Sequence, residues 1–404
     1  MLGNSAKIAL ALLLILSIAT RETSLFLLAL ALFGADGLSR LWGRYCLDGV
    51  EYRRGLSRRQ VTFGETVALD VEIVNRKLLP LPWLDVTDEL PAALPPAKVS
   101  LERSHRAGRA ALANLLSLRP YERVRRRYTL PCLRRGEHVF GPARVRSGDL
   151  FGLVTRETEV GEIHTLLVLP PVYPLADLGL PARQPLGDLR TQSWLFDDPS
   201  RLAGARDYRP SDGLRRIHWA ATAKAQRLQA KVYEATTSHR LAIFLDLAAG
   251  DDVWWWQGMD EDTAERSIAT AASVASWALG RGYQVGLATN GNYRGSWDEV
   301  VVAPASDAGQ ISRLLVALGR LQPFAGKGFA EVLDREGAKL PFGTTVVVIA
   351  SAVGESTTAR LLALRARGNP VAVLLTADEP AESGLASLRG ISVQRVRLPA
   401  EARR

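Results

Sequence analysis

The sequence predicts a multidomain fold: an N-terminal transmembrane helical hairpin, an all-β sandwich of immunoglobulin type, and an α/β domain of Rossmann type on a mostly parallel sheet. Three observations predict it. From Ile8 to Phe33 the chain is apolar apart from one polar break; from about 48 to 170 apolar and polar residues alternate with period two; beyond about 238, unalternated apolar runs are spaced by helical patterns. The corresponding boundaries are 1–40 for the hairpin, 41–175 for the sandwich, 176–238 for a connecting strap and 239–404 for the α/β domain.

The polar break is Arg21-Glu22-Thr23, and each apolar run beside it is shorter than the roughly 17–25 residues of a spanning helix. Two readings follow: a tight hairpin with the polar triplet at the far surface, or a single span with an ionised pair at its centre. The hairpin is preferred, because a central Arg costs about 2.5–3.5 kcal/mol even on the lenient insertion scale. A third reading is a cleaved signal with Lys7 as its basic flank, Leu10 to Leu16 as its apolar stretch and Ser17-Ile18-Ala19 as its cleavage site. The second apolar run directly behind argues against it. Arg40, Arg44, Arg53, Arg54, Arg58 and Arg59 face only Asp36, Asp48 and Glu51 just past the segment, and Lys7 flanks its other end. The positive-inside bias then puts both ends, and the rest of the chain, on the cytoplasmic side of the inner membrane.

The middle of the chain reads as strands. Val67 to Val74 alternates and ends at Asn75, and further runs lie at Val124 to Leu130, Val139 to Val145 and Ile163 to Leu169. The proline pairs Pro80/Pro82 and Pro95/Pro96 are assigned to loops. Arg119, Arg123, Arg125, Arg126 and Arg127, with Arg134 and Arg135 nearby, form the densest basic cluster, and Tyr121 and Tyr128 are interleaved with it. Phosphate contacts with stacking would suit nucleic acid. No nucleic-acid motif accompanies the cluster, so arginines paired with acids on a half-exposed strand are the preferred reading, and no nucleic acid is expected as a partner.

In the last part, strands are expected at Leu241 to Leu245, Gln284 to Ala288, Thr345 to Ile349 and Val371 to Leu375. Helices are expected at about Thr263 to Leu279, Ala308 to Leu321 and Ser356 to Arg367. Asp262 is positioned to cap the first helix, and Gly280 and Gly282 to end it. Ligands of open α/β sheets bind beyond the carboxyl ends of the strands, which singles out Asp246.

Composition bounds the function. The 404 residues exceed one ordinary domain, and 47% hydrophobic with 23% charged residues describes a foldable globular chain. Cys46 and Cys132 have no partner at metal-ligand or CxxC spacing, which suits a reducing compartment. A net charge of +9, from 51 Lys and Arg against 42 Asp and Glu, favours an anionic partner without choosing among lipid, nucleic acid and protein.

Two stretches carry a family resemblance. The first runs Arg134-Arg135-Gly136-Glu137-His138-Val139-Phe140-Gly141-Pro142 and continues to Ser147-Gly148-Asp149-Leu150-Phe151-Gly152-Leu153. The second runs from Arg206-Asp207-Tyr208-Arg209-Pro210-Ser211-Asp212-Gly213 through Leu214-Arg215-Arg216-Ile217-His218-Trp219 to Lys224 and Leu228. Together they resemble the bacterial domain-of-unknown-function 58 family across essentially the whole chain. That resemblance implies a membrane anchor, an immunoglobulin-like region, a von Willebrand A-like domain often bearing the metal motif Asp-x-Ser-x-Ser, and partnership with MoxR-type AAA+ ATPases. It implies no reaction.

The metal motif is degenerate here: Asp246 keeps the carboxylate, but Ala248 and Gly250 stand at the hydroxyl positions, and Ala350-Ser351-Ala352 offers no later aspartate. A divalent cation needs several oxygen ligands, so no metal and no other cofactor is expected. The second motif could act in two ways. Asp212 could cap a short helix carrying Arg215, Arg216 and Trp219 and pair with one of the arginines, while Ile217 and Trp219 pack the strap. Alternatively, Arg209, Arg215, Arg216 and Lys224 could meet an acidic partner with Tyr208 and Trp219 as anchors. A structural strap with a partner surface attached is the preferred combination. The histidines His105, His138, His164, His218 and His239 are scattered without a catalytic pattern, and His218 reads as a packing residue. Gly326-Lys327-Gly328 lacks the spacing of a phosphate loop. Trp254-Trp255-Trp256 is either a contact surface or core.

The functional expectation is therefore a non-enzymatic adaptor on the lipid bilayer that docks a cytoplasmic partner such as an AAA+ ATPase, with no small-molecule substrate. An extracytoplasmic envelope module is the alternative, and a hydrolase with an atypical site is a third.

Overall fold

The computed structural model describes residues 11–13, 15–16, 18–20, 22–150, 154–181, 196–209, 217–236, 240–248, 260–296, 298–378, 388 and 390–397. It divides into two compact units, Met1–Leu169 and Pro170–Arg404.

The first unit opens with two helices, α1 (Ala11–Thr20) and α2 (Thr23–Tyr45), separated at Glu22, whose backbone is extended at φ −86° and ψ 106°. The polar triplet thus breaks the apolar segment. Only the first run is short, however. Asp36 and Arg40 sit four residues apart and pair at 2.5 Å on one face of α2, so the helix does not stop at Phe33 but continues to Tyr45. Its 23 residues are long and apolar enough to cross a membrane. At 1.5 Å per residue they reach about 34 Å, against a hydrocarbon thickness of about 30 Å. The C-terminal turns rest on the β-rich body, where a Cβ at Gly43 would collide with Val154.

Among the described residues eleven strands follow: β1 (Val50–Leu56), β2 (Gln60–Thr62), β3 (Thr66–Asn75), β4 (Leu81–Pro91), β5 (Glu102–Arg103), β6 (Arg109–Leu118), β7 (Arg123–Pro131), β8 (Gly136–Phe140), β9 (Ala143–Gly148), β10 (Thr155–Val160) and β11 (His164–Leu169). They form sheets ordered β1-β3-β7, β10-β9-β4-β6-β5 and β2-β11-β8. Alternation drives them together. Val67, Leu69, Val71 and Ile73 of β3 share one core with Leu84, Val86 and Leu90 of β4 and Leu166 and Val168 of β11, each worth about 1.5–3 kcal/mol of burial. Two expectations are corrected. The run Val139 to Val145 is two strands in different sheets, parted at Gly141-Pro142, because proline cannot donate to a ladder. Pro82 belongs not to a loop but to the start of β4, where the register with β6 is irregular.

Arg123, Arg125 and Arg127 of the arginine cluster pair with acids. In the β3–β7 ladder Asp70 faces Arg127 and Glu72 faces Arg125, and these guanidinium groups lie 2.6 and 2.8 Å from the carboxylates. Arg123 shares Glu72 at 3.3 Å, and Arg126 donates to Asn114.

One charged cluster is buried. Arg54 donates to Asp88 and to the carbonyls of Phe140 and Glu162, while the Tyr52 hydroxyl donates to Asp88 at 2.5 Å. Gly141, at φ +80°, leaves the space that the guanidinium fills. The first motif therefore wraps a buried ion pair. Burial pushes the Asp88 carboxyl above its usual range, while Arg54 and Tyr52 pull it down.

The second unit contains β12 (Phe196–Asp207), α3 (Trp219–Ala225), β13 (Gln229–Thr236), β14 (Arg240–Leu245), α4 (Glu261–Gly280), β15 (Gln284–Thr289), β16 (Gly291–Tyr293), β17 (Val300–Ala305), α5 (Gln310–Arg320), β18 (Leu321–Ala325), α6 (Phe329–Ala338), β19 (Thr345–Ala350), α7 (Glu355–Ala366), β20 (Val371–Leu375) and β21 (Ser392–Arg395). Its main sheet is ordered β17-β15-β14-β19-β20-β21, parallel throughout except for β17, which runs against β15. Both faces are covered. Leu241, Ile243 and Leu245 face a core with residues of α4 and α5, and Ala242 and Phe244 face one with residues of α6 and α7. Leu175, Leu178 and Leu180, just after the first unit, are buried in the α4 and α5 core. The cap of α4 is Asp260, which accepts from the Thr263 amide at 3.3 Å; Asp262 lies inside the first turn. The helix ends at Gly280, and Gly282 follows at φ +80°.

Removing one partner of the buried pair leaves an uncompensated charge, so Arg54→Met is expected to destabilise the first unit by about 3–5 kcal/mol. Adding Asp88→Leu should recover most of that loss in chemical denaturation; a double variant as weak as the single one would contradict the pairing.

Candidate functional site

A sheet whose first strand, β14, is central has its switch point between β14 and β19, and ligands of such sheets bind at the carboxyl ends there. Asp246 stands at that point, 2% exposed. Its Oδ1 accepts from the Ala248 amide at 2.8 Å and from Asn290 Nδ2 at 2.7 Å, and Asn290 Oδ1 accepts from the Leu247 amide at 2.8 Å. An amide N–H can only donate, so the atom of Asn290 that faces Leu247 is its oxygen and the one facing Asp246 is its NH₂. Ser351, after β19, donates to the Ala248 carbonyl at 3.1 Å and ties the two strand ends together.

The residues present do not fit a divalent cation. Asn290 aims a donor, not an oxygen, at the carboxylate; Ala248 offers a methyl group, and its carbonyl is engaged by Ser351. Gly250 lies outside the described residues. Among the described residues no three His, Cys, Asp or Glu side chains gather as a metal site. Asn290 was missed in the sequence, although it follows β15 as Asp246 follows β14, and the same strand-end rule points to both. Nearby, Arg266 holds Asp378 in a fork at 2.7 and 3.2 Å and donates to the Thr376 carbonyl.

The second motif forms a hairpin, β12 with β13, carrying the short helix α3. Ile217, 4% exposed, bridges to Ala230, and the His218 amide donates to the Gln229 carbonyl at 2.7 Å. His218 caps α3, its Nδ1 accepting from the Ala221 amide at 3.2 Å. The helix that carries Trp219 starts at Trp219, after an extended residue 217, with His218 as its cap. Asp212, Arg215 and Arg216 lie outside the described residues. Asp207 accepts from Gln229 at 2.5 Å and pairs with Arg227 at 3.3 Å, and the Tyr208 amide donates to the Leu228 carbonyl. The hairpin thus brings Tyr208, Arg209, Trp219 and Lys224 onto one supersecondary element. Trp219 does not pack the strap; it is 69% exposed. Lys224 and Arg209 are exposed and Tyr208 is half-buried.

Three of the five histidines make local contacts, and His105 is exposed. His138 contacts the Arg134 carbonyl, His164 the Glu162 carbonyl and His218 the Ala221 amide, while His239 and the Trp254 to Trp256 run lie outside the described residues. Burial pushes the Cys46 and Cys132 thiols up, away from the reactive thiolate.

Residues 204–394 match the family model described as "Protein of unknown function DUF58", which takes in the second motif and the α/β sheet. The chain is 25% identical over 249 residues to the uncharacterized protein YeaD of Bacillus subtilis, a stretch covering 61% of this chain and 57% of YeaD. Proximal thread matrix protein 1 from the mussel byssus is 11% identical, at a TM-score of 0.29 over 41% of this chain and 45% of its own. The CARDB domain of a Pyrococcus furiosus protein is 12% identical, at a TM-score of 0.21 over 30% and 91% respectively. Both likenesses are too slight to assign a fold.

Asn290→Ala removes a donor from a buried carboxylate and the acceptor of the Leu247 amide, so a loss of about 1–3 kcal/mol is expected in chemical denaturation. Unchanged stability would contradict the role given to this side chain.

Proposed function

We propose that this chain, which over residues 204–394 belongs to the DUF58 family, is a membrane-tethered, non-enzymatic adaptor that docks a cytoplasmic protein through the β12–β13 hairpin. The observation that carries it is Trp219: a large aromatic, exposed on a helix that its neighbours fix in place. Burying it against a partner removes on the order of 150 Å² from water, about 4 kcal/mol, which suits an interface anchor. Lys224, and the arginines of the same motif, favour an acidic partner surface. The family resemblance points to a MoxR-type AAA+ ATPase as that partner.

The finer fold reading belongs to the same proposal. A von Willebrand A-like, Rossmann-type second unit is supported by the sheet order with β14 central and by Asp246 at its switch point. An immunoglobulin-like first unit is supported by antiparallel sheets sharing one core. Anchoring is supported by α2, and a cytoplasmic orientation by the arginines that follow it. In this reading the sheet edge serves as scaffold, supported by Asp246 Oδ1 accepting from Asn290 and from the Ala248 amide.

Crosslinking in native membranes tests the docking surface. Trp219→Ala is expected to cut capture of the partner by about tenfold or more. Because Trp219 is exposed, its loss should leave stability within about 0.5 kcal/mol. Undiminished capture would remove the hairpin as the interface. A reporter fused at the C-terminus is expected to be active in the cytoplasm, and activity outside only would reverse the orientation.

A further inference from the structure

The β-rich body carries an apolar, basic rim around the foot of α2. Counted from Thr23, about 20 residues cross the hydrocarbon, so α2 leaves it near Leu41 and Trp42. On one face of the helix there, Leu38, Leu41 and Tyr45 are 55%, 56% and 44% exposed. They line a groove of about 580 Å³ whose other wall is Leu78 and Leu79. Leu78 itself is 74% exposed.

This exposure is built in. Lys77 donates to the Cys46 and Asp48 carbonyls at 2.5 Å each, fastening the loop to the end of α2. The buried Asn75 donates to the carbonyls of both Leu79 and Arg119, tying that loop to the turn that holds Tyr121, 64% exposed at φ +58°. On another side of α2, Val154 meets Gly43, and the hairpin tip between β9 and β10 shows Leu150 at 65% exposure. Arg44 and Arg119 are exposed, and their guanidinium groups make no ion pair among the described residues, although the Arg119 amide donates to the Glu122 carboxylate at 2.6 Å.

We infer that the first unit docks on the bilayer, with Leu78, Tyr121 and Leu150 seated in the headgroup layer of an anionic membrane and Arg44 and Arg119 at its phosphates. The occupant follows from continuity, because the groove is the direct extension of the helix that crosses. Charge agrees, since the rim is basic. Exposed leucines with an aromatic and arginines are what an interfacial surface needs. This inference rests on the anchoring reading above. Docking would fix the orientation of the β-rich body on the membrane rather than leave it swinging on a tether.

The test is spin-label depth in the full chain, reconstituted in bilayers of phosphatidylcholine with phosphatidylglycerol, with Cys46→Ser and Cys132→Ala as background. Labels are placed by Leu78→Cys, Tyr121→Cys and Leu150→Cys. Leu30→Cys reports the anchor, and Leu133→Cys, beyond the opposite end of β7, reports water. Relaxation by dissolved oxygen relative to a water-soluble nickel chelate should shift toward oxygen at 78, 121 and 150 compared with 133, and more so with phosphatidylglycerol than without it. If Leu30 reports lipid while 78, 121 and 150 match 133, the docking is wrong and the anchor stands. Water at Leu30 overturns both. Labels at 78 and 121 shielded from both reagents would place a protein on the rim and overturn the lipid assignment, and equal shifts in the two lipid mixtures would overturn its anionic part.

Discussion

A carboxylate taken out of water must find a cation or enough hydrogen bonds, and at Asp246 one carboxylate oxygen, Oδ1, accepts two hydrogen bonds. Asn290 and the Ala248 amide supply them. Because Asn290 also accepts from Leu247, it is locked with its NH₂ toward the carboxylate, and Ser351 closes the neighbouring strand end onto Ala248. The switch point that the sheet order creates is therefore knitted together by its own chain. With this carboxylate oxygen used for structure, the functional proposals rest on exposed surfaces instead, Trp219 above all.

Those surfaces are held by a common device, an exposed apolar side chain on a backbone pinned by polar contacts. Trp219 stands on α3, whose N-terminus is fixed by His218 and whose base is fixed by Ile217 and Gln229. Leu78 and Tyr121 stand on turns fixed by Asn75 and Lys77. A residue presented this way loses little conformational freedom on binding, which favours contact as its role.

Much of the fold was legible in the sequence. Unalternated apolar runs located β14, β15, β19 and β20, and period-two alternation located β3. What escaped was whatever depends on long-range pairing. The polar pair Asp36 and Arg40 concealed the continuation of α2, because their compatibility with a helix lies in mutual contact rather than in hydropathy. The antiparallel β17 and the hairpin partners β12 and β13 carry short or mixed patterns that only their neighbours make into strands. The first motif is similar: Gly141-Pro142 lies inside the single run expected from Val139 to Val145, but the guanidinium of Arg54, distant in sequence, fills the space that Gly141 leaves. At the sheet edge, Asp246 and the missing hydroxyl at Ala248 were readable residue by residue. Asn290 becomes informative only once it is known to face a buried carboxylate.

The central claim is that the Asp246 edge is closed by hydrogen bonds rather than built for a cation. Calorimetric titration of the purified full chain with Mg²⁺ and then Mn²⁺ addresses it most directly. The account predicts no saturable binding that Asp246→Ala removes. A stoichiometric site present in the native chain and lost in that variant would contradict it, and would return the sheet edge to the centre of this protein's function.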